Sequence, residues 1–524
     1  MHRSSALAAL PFLVLLAHGI LIWPHGFLQP VAAEEPRAAG DREWSKPGFW
    51  ETLDGRPVAD NWDFVDGELR LTRPRGSGGS LLSEPLPSNF ELSFEWSIEE
   101  KANTGVKYRL RKYRNRWLGL EYQIIDDAIT AEGTGATASV YDLVAPSHNR
   151  TVRRPGQWNQ ARIVAIGHRI EHHLNGERVA QVRTEGVPWQ IRLAQSKFWG
   201  YDGFGQPAEE DRVMLTDHGG RATYRNFKFI AHRPATEAGP PEVAPPFLGN
   251  AMRNGWADQD SIVVWTRTTA APEMAKHGLE FLPIGQNEAR QLSEDRDADK
   301  LLAVQLPQGA RLDEMLGACP GAPGEVRLTW FPALQRRAIR TTDWVKTSAE
   351  SDYTAQWKLE GLKPGAEYVA IVEARPVGQG EPTAMVRGGF QTAAPATVAE
   401  DVTFCMTTCH DFIRRDDGFR GHKIYPAMSE IDPDFVVHAG DIEYYDKPAP
   451  WALTIELMRF KWQRIFALPN NRDFYQRTTS YFLKDDHDTL KNDCWAGQRY
   501  GAVTFEQGQA LFNEEQFPSH PTRY

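Results

Sequence analysis

The spacing of apolar residues changes along the chain, and this change limits the fold more than any other feature. From Trp44 to about residue 232, short segments such as "FELSFEWSI" and "QARIVAIG" alternate between apolar and polar residues. Period-two alternation is typical of antiparallel strands. Because no long amphipathic pattern interrupts this stretch, we predict an all-β sandwich of the jelly-roll type.

After residue 400, apolar strands alternate with helix-like segments. "VTFCMTTC", "PDFVVHAGD" and "TSYFLKDDHD" read as strands, and the helix-like "WALTIELMRFKWQRIFAL" lies between the last two. The order strand, helix, strand predicts a parallel α/β sheet. Such sheets place their active sites at the carboxyl ends of the strands.

Two segments rich in Pro and Ala, at 233–246 and 393–400, read as linkers. Between them, "SIVVWTRTT" and "YTAQWKLEGLKPGAEYVAIVEA" show strand–turn–strand patterns, which favour a fibronectin-type-III-like β-sandwich. A chain of 524 residues is long enough for several domains. We therefore predict domains at 40–233, 247–396 and 398–524, with a linker at 234–246.

The N-terminus has the pattern of an export signal. Arg3 precedes a long apolar run, and the small residues at 31–33 resemble a cleavage site before Glu34. We predict a signal peptide at 1–33, a secreted or periplasmic protein and no membrane association after cleavage. The alternative is an uncleaved membrane anchor, because the run is about long enough to span a bilayer.

The net charge argues against a nucleic-acid-binding protein, and the cysteine content argues against a disulfide-stabilised one. The 59 basic and 69 acidic residues leave a net charge of -10, which argues against a nucleic-acid partner. The four cysteines do not read as a disulfide framework. Cys405 and Cys409 lie on one predicted strand and its exit, about 13 Å apart when extended, which is too far for a disulfide.

Polar residues follow three of the predicted strands after residue 400. They are Cys409, then Asp441 and Tyr444 in "GDIEY", then the "DDHD" loop at 485–488. Hydrolysis of a phosphate ester without a covalent intermediate calls for two metals about 3.5–4 Å apart. Thiolate and phenolate ligands suit Fe³⁺, carboxylates suit a harder ion such as Ca²⁺, and a nearby histidine can protonate the leaving alkoxide.

These motifs, together with "GNAMRNGWADQDSIVVWTR", "TTCHD", "VVHAGDIEYYD" and "KDDHD", resemble the PhoD-like alkaline phosphatases over about 246–524. The resemblance implies an α/β metallophosphatase with a site for two metals, Fe³⁺ and Ca²⁺, acting on phosphate esters. The residue roles that it implies are iron binding by Cys409 and Tyr444, bridging of the metals by Asp441, binding of the second metal by Asp486, and phosphate contact by His487. Asp485 and Asp488 would support these ligands.

The family pattern continues beyond the point where this sequence stops, with further metal ligands on later loops. The resemblance therefore implies that 398–524 is the N-terminal half of a phosphatase domain. We expect this half to be truncated and inactive in phosphate-ester hydrolysis in this chain.

The first unit carries its own set of motifs. In order along the chain they are "FWETLDGRPVADNWDFVDGELRL", "NTGVKYRLR", "GLEYQIIDD", "PGQWNQARIV", "HHLNGERV", "LTDHGG" and "YRNFKF". Over about 44–233 they resemble the 3-keto-disaccharide hydrolase domain, which is related to concanavalin-like sandwiches. The resemblance implies cleavage of the glycosidic bond of a sugar oxidised at C3.

A 3-keto group acidifies the neighbouring C–H bonds, so a base can start an elimination that expels the other sugar. Such a site needs a base, a cation for the enolate and polar groups for the hydroxyls. Alternation places residues 121 and 123 on one strand face. The candidate catalytic residues are Glu121, Arg109, Asp126 and His218, the candidate substrate-binding residues are Gln123 and Arg225, and no cofactor is expected here.

Two alternatives stay open for this unit. Each arginine–carboxylate pair could be a structural salt bridge across strands. The whole unit could instead be a carbohydrate-binding module that targets the phosphatase to a polysaccharide surface. Convergence of Glu121, Arg109 and His218 would favour the enzyme, because acid–base catalysis requires groups within hydrogen-bond reach.

Overall fold

The computed structural model describes residues 44–233, 243–378 and 380–516. The predicted signal peptide at 1–33 and most of the predicted linker at 234–246 lie outside these ranges. Within them, no helix has the length and apolar character needed to cross a membrane. All four cysteines are free, in agreement with the interpretation that they form no disulfide framework.

The first unit consists of antiparallel strands and one α-helix. The strands β1 to β14 are Trp50–Thr52, Trp62–Val65, Glu68–Leu71, Leu81–Ser83, Leu86–Pro87, Phe90–Ile98, Asn103–Tyr113, Arg116–Ile125, Asn159–Ile166, Arg169–Leu174, Glu177–Arg183, Glu210–Asp211, Met214–Leu215 and Ala222–Ala231, and the helix α1 is Gly186–Gln195.

Two sheets of this unit pack face to face. One has the strand order β1-β4-β13-β7-β8 and the other β11-β10-β9-β6-β14-β3-β2. Every second residue of β6 is buried, from Phe90 to Ile98, and these side chains belong to the core between the sheets. The predicted strand-rich sandwich is confirmed for this unit, while the jelly-roll detail stays a prediction.

Local features of the unit follow from its sequence, with one exception. Asn175 and Gly176 turn the chain between β10 and β11 with positive φ values of 49° and 90°, as an Asn-Gly pair does in a two-residue hairpin turn. Helix α1 is not evident from periodicity, because it spans only 10 residues and contains Pro188. It buries Trp189 and Ala194.

The described residues after the first unit form a six-stranded sheet, a five-stranded sheet, a two-stranded sheet of β26 and β27, and six α-helices. The strands β15 to β27 are Met252–Gly255, Ile262–Arg267, Gly324–Pro332, Arg340–Thr341, Val345–Thr347, Thr354–Leu359, Glu367–Arg375, Ala384–Gln391, Phe404–Thr407, Phe435–Ala439, Thr479–Leu483, Arg499–Tyr500 and Val503–Thr504. The helices α2 to α7 are Gln286–Leu292, Ala298–Ala303, Ile424–Ile431, Ile455–Ala467, Pro469–Tyr475 and Phe505–Glu515.

Strands from both sides of the predicted linker at 393–400 share one sheet, with the order β20-β16-β15-β25-β24-β23. Strands β23, β24 and β25 are parallel, which confirms the predicted parallel α/β arrangement. Strand β15 joins them through Gly255 and Ser480. Residues 247–396 and 398–524 are therefore continuous in one sheet, and their division into separate domains stays a prediction.

Strand β16 of the six-stranded sheet is buried along its whole length, which explains its unbroken apolar run, whereas Phe404 and Met406 of the edge strand β23 are exposed. In β16, Ile262 and Val264 face a core shared with the sheet β18-β17-β21-β22, whereas Val263 and Trp265 face the core formed with the helices. The predicted strand–turn–strand segment at 353–374 divides between the sheets, since β20 pairs with β16 and β21 pairs with β17. The fibronectin-type-III-like detail stays a prediction.

The first unit contacts the sheet β18-β17-β21-β22 beside helix α1. Ala194 belongs to a small apolar cluster with Phe331, Val369 and Ile371. Arg336 also approaches Asp142 at 3.8 Å.

Candidate functional sites

A cavity of about 700 Å³ lies on the outer face of the five-stranded sheet of the first unit. Strands β7 and β8 form its floor, because alternation sends Val106, Leu120 and Tyr122 into the core and their neighbours outward. Most of the lining side chains are polar. They include Asn103, Lys107, Lys112, Arg116, Glu121, Gln123, Tyr141, Lys197, Tyr201 and His218.

Glu121 is the buried carboxylate of this cavity, with only 4% of its surface exposed. Its Oε2 lies 3.7 Å from Lys107 Nζ, and its Oε1 lies 3.8 Å from His218 Nε2. Thr216 donates a hydrogen bond of 3.4 Å to Oε1. A Cβ on Gly105 would come within 2.5 Å of Oε1, so glycine at that position leaves the space that the carboxylate occupies.

The surroundings of Glu121 keep it ionised. Burial alone would raise its pKa, but Lys107 and His218 outweigh burial and hold the pKa below the ordinary value of 4.5. An ionised carboxylate in a cavity is suited to accept a proton.

Gln123 and Asp126 have different environments although they are neighbours in sequence. Gln123 lines the cavity and donates to Asn103 Oδ1 at 3.2 Å. Asp126 accepts backbone hydrogen bonds from Lys101 at 2.7 Å and Ala128 at 3.0 Å, and these lower its pKa. Asp126 does not line the cavity, and its contacts hold a turn at the end of β8.

The structure also places Arg109 away from the cavity, because a β-bulge reverses the alternation of β7. Its register with β8 shifts between Tyr108 and Arg111, and Arg109 has a φ of 53°. The guanidinium of Arg109 is buried and donates to Gly167 O at 2.9 Å. Beyond the bulge, it is Lys112 that faces the cavity.

Arg225 lies on β14 in the other sheet. Its guanidinium stacks 3.7 Å from the ring centre of Trp158, and its Nε donates to Glu95 at 2.8 Å. It does not line the cavity. The cavity therefore brings together Glu121, Gln123 and His218, but not Arg109, Asp126 or Arg225.

Sequence reasoning missed Lys107, which takes the place expected for Arg109. The signal was present, since the odd-numbered residues 103, 105 and 107 share a strand face and Lys107 pairs across the ladder with Glu121. Tyr141 and Lys197 belong to segments without a regular pattern and had no such signal.

The second site lies at the carboxyl ends of β23, β24 and β25. Asp441, Asp486 and His487 have ligand atoms that all lie within 4.8 Å of one another. Tyr444 donates its hydroxyl to Asp441 Oδ2 at 2.9 Å, and Cys409 Sγ lies 3.7 Å from the same oxygen. All five residues predicted from the sequence are therefore connected in one cluster.

The backbone at this site is held in an uncommon conformation. Cys409 and Asp441 have φ values of 57° and 53°, in the left-handed region that residues other than glycine seldom adopt. His410 N donates to Asp441 O at 2.8 Å, which ties the two strand ends together. A Cβ on Gly440 would come within 2.6 Å of Asp485, so glycine allows the loops to approach.

Buried polar side chains support the loops of this cluster. Asp488 accepts from the backbone of Glu443 at 2.8 Å and of Asp485 at 3.2 Å, and burial raises its pKa to about 7. Lys461, from α5, lies 3.7 Å from Glu443 and donates to the carbonyl of Tyr444. These bonds fix the relative position of the loops after β24 and β25.

The donor set fits a metal ion. Asp441 Oδ1 is buried and has no hydrogen-bond partner among the described residues. His487 Nδ1 bonds to Asp446 at 2.6 Å, which leaves Nε2 as the free ring nitrogen. A carboxylate that orients a histidine in this way is common around bound metals. Burial and the neighbouring Cys409 and Asp441 raise the pKa of Tyr444, so this phenol keeps its proton until a cation displaces it.

Comparison with known proteins confirms the predicted resemblance of the first unit to the 3-keto-disaccharide hydrolase domain. Residues 45–230 match the family model of the 3-keto-alpha-glucoside-1,2-lyase-like domain. A 3-keto-disaccharide hydrolase of Bacteroides thetaiotaomicron is 23% identical over 212 residues, which cover 34% of this chain and 73% of that protein.

Two solved structures also resemble the chain. A protein of Parabacteroides distasonis described as a glycosyl hydrolase has 23% identity and a TM-score of 0.31, covering 36% of this chain and 90% of its own. PhoD, the predicted relative of the later residues, has 16% identity and a TM-score of 0.36, covering 54% of this chain and 48% of its own. These TM-scores are too low to assign a function, so each assignment depends on the residues of its site.

Proposed function

We propose that the first unit, whose residues 45–230 match the 3-keto-alpha-glucoside-1,2-lyase-like family, cleaves glycosidic bonds of 3-keto sugars with Glu121 as the base. The observation that carries this proposal is the buried, ionised Glu121 between Lys107 and His218 in a cavity large enough for a sugar. These three side chains supply a base, a cation and a proton donor.

The reaction begins when Glu121 removes the proton from C2, which is acidified by the C3 carbonyl. The electron pair moves to the C3 oxygen, and the Lys107 ammonium stabilises the resulting enolate. The carbonyl then re-forms, a C1–C2 double bond appears and the glycosidic oxygen leaves with a proton from His218. Addition of water across C1–C2 completes the net hydrolysis and yields the 3-keto sugar and the released alcohol.

The direct test is turnover of a neutral 3-keto-disaccharide by Glu121→Gln. We expect a loss of about 10²–10⁴-fold, since one general base contributes that much, with unchanged folding by circular dichroism. Exposed Glu84→Gln is the matched control and should behave as the wild type. Full activity of Glu121→Gln would contradict the proposal and favour the carbohydrate-binding module.

We further propose that the cluster at the ends of the parallel strands supplies ligands for the two metals of a phosphate-ester hydrolase, and that these ligands by themselves leave the chain inactive in phosphate-ester hydrolysis. Asp441 would bridge the two metals, Cys409 and Tyr444 would hold Fe³⁺, and Asp486 would hold Ca²⁺, because anionic thiolate and phenolate donors suit the first ion and carboxylates the second. The bound metals supply Lewis-acid activation of a phosphate ester. His487, oriented by Asp446, donates a proton to the leaving alkoxide.

This second proposal is tested by metal content and by hydrolysis of p-nitrophenyl phosphate and its bis-ester. The wild-type chain purified with iron and calcium should retain metal, and Asp441→Asn should lose it together with any ester hydrolysis. Equal metal content in the two proteins would contradict the assignment of Asp441.

We also propose export through residues 1–33. N-terminal sequencing of the mature protein should begin near Glu34. Recovery of the full-length chain from the cytoplasm alone would contradict it.

A further inference from the structure

We propose that the cavity of the first unit selects glycosides that carry an anionic group, held by the basic hairpin formed by β7 and β8. The inference rests on the proposed function for the sugar, but the residues that carry it are separate from Glu121 and His218. Removal of the proton by Glu121 does not itself require a charged substrate.

The hairpin stands out in the sequence. Between 102 and 120 there is no acidic residue, although the whole chain has a net charge of -10. The same stretch contains six basic residues, which are Lys107, Arg109, Arg111, Lys112, Arg114 and Arg116.

These cations make different contacts in the structure. Arg109 is buried in the fold, and Arg111 donates to the carbonyl of Gly203 at 3.0 Å. Lys107 forms the ion pair with Glu121. Structural contacts or the ion pair thus account for these three cations.

Lys112 and Arg116 line the cavity without such partners, and Lys197 joins them in the cavity wall. None of the three forms an ion pair with a carboxylate in the part of the chain that the structure describes. Glu121 is the carboxylate of the cavity lining, and Lys107 already pairs with it. The cavity therefore has excess positive charge, which an anionic ligand would balance.

The position of these cations indicates where the anion lies. Lys112 pairs across the ladder with Trp117, and Trp117 precedes Glu121 by four residues on β8. Four residues of a strand span about 13 Å. With the reacting ring at Glu121, the second sugar or aglycone would lie along Trp117, and its anionic substituent would reach Lys112 and Arg116.

A phosphate or a carboxylate on the ligand would accept charge-assisted hydrogen bonds from these side chains. A neutral glycoside would leave both cations solvated and gain nothing from them. Because Lys112 and Arg116 are exposed, salt would screen the attraction.

The experiment measures binding by calorimetry at low ionic strength with matched sugar pairs. Sucrose and sucrose 6-phosphate test the phosphate, and lactose and lactobionate test the carboxylate. The proteins are the wild type, the double variant Lys112→Gln/Arg116→Gln and the control Lys228→Gln, whose exposed lysine lies on the other sheet outside the cavity.

We expect at least one anionic sugar to bind the wild type and the control about tenfold more tightly than its neutral partner. The preference should disappear in the double variant and weaken at high salt. Equal affinities within both pairs, a preference that survives the double variant, or no measurable binding of any sugar at millimolar concentration would overturn the proposal. Turnover of the neutral 3-keto-disaccharide tests the catalytic proposal separately, so the two can fail independently.

Discussion

In the cavity of the first unit, the carboxylate of Glu121 lies 3.7 Å from Lys107. At the ends of the parallel strands, in contrast, Asp441 and Asp486 have no ion pair with a lysine or arginine within the described ranges. The first site thus contains its own cation, whereas at the second site Lys447 lies over the Tyr444 ring, 3.3 Å from its centre, and does not pair with Asp441 or Asp486. The difference indicates that the first site can act with protein groups alone and that the second is suited to a metal.

Chelation should give the largest contrast between the two sites. Treatment with EDTA should remove bound metal and any metal-dependent hydrolysis of p-nitrophenyl phosphate, because the second site depends on the ion for its Lewis acid. Turnover of a 3-keto-disaccharide should be unchanged, since Lys107 supplies the positive charge there. Loss of keto-sugar turnover that returns when a metal is added back would show that the first site also depends on a metal.

Removal of the internal cation should damage the first site strongly. Lys107→Gln should lower kcat by about 10²–10³-fold, the usual effect of losing one group that stabilises an oxyanion. The pKa of Glu121 should also rise, because burial would no longer be outweighed by the ammonium. A higher pKa means that less carboxylate is ionised at a given pH, so the acid limb of the kcat/KM profile should move to higher pH.

Lys228→Gln is the control for that experiment, because its side chain is exposed and outside the cavity. A pH profile of Lys107→Gln identical to that of the control would indicate that Lys107 does not act on Glu121.

Substitution of Asp446, which is not assigned as a metal ligand, should also affect the second site. Asp446→Asn removes the carboxylate that holds His487 Nδ1 at 2.6 Å, so His487 loses its orientation toward phosphate and the affinity for inorganic phosphate should fall about tenfold. Exposed Asp473→Asn is the matched control. Calorimetric titration of the metal-loaded proteins with inorganic phosphate measures both, and equal affinities would mean that the orientation of His487 by Asp446 does not matter for binding.

Much of the fold is predictable because it follows from local patterns. The alternation of β6 and the Asn175-Gly176 turn are encoded within a few residues, and the apolar strands β23 to β25 are encoded by their composition. What could not be predicted depends on pairing between distant segments. The association of β15 with β25 joins residues more than 200 positions apart, and no local pattern records it.

The candidate sites also differ in how far they can be predicted from local sequence patterns. At the second site each predicted side chain follows a strand of one parallel sheet, so strand order alone brings Asp441 and Asp486 together. In the first unit, a single bulge at Arg109 changes which residues of β7 face the cavity. Strict alternation would place Arg109 on the same face as Lys107, and the extra residue of the bulge breaks that period.

The smallest expected effect concerns Arg225, a candidate substrate-binding residue that the structure places outside the cavity. Its guanidinium stacks on Trp158 and pairs with Glu95 at 2.8 Å, and its side chain is 33% exposed. Partly exposed ion pairs and cation–π contacts each contribute about 0–1 kcal/mol. Arg225→Gln should therefore lower the free energy of unfolding by about 1 kcal/mol and leave KM unchanged, as measured by urea denaturation and steady-state kinetics. A tenfold rise in KM with unchanged stability would instead extend the substrate site onto the second sheet.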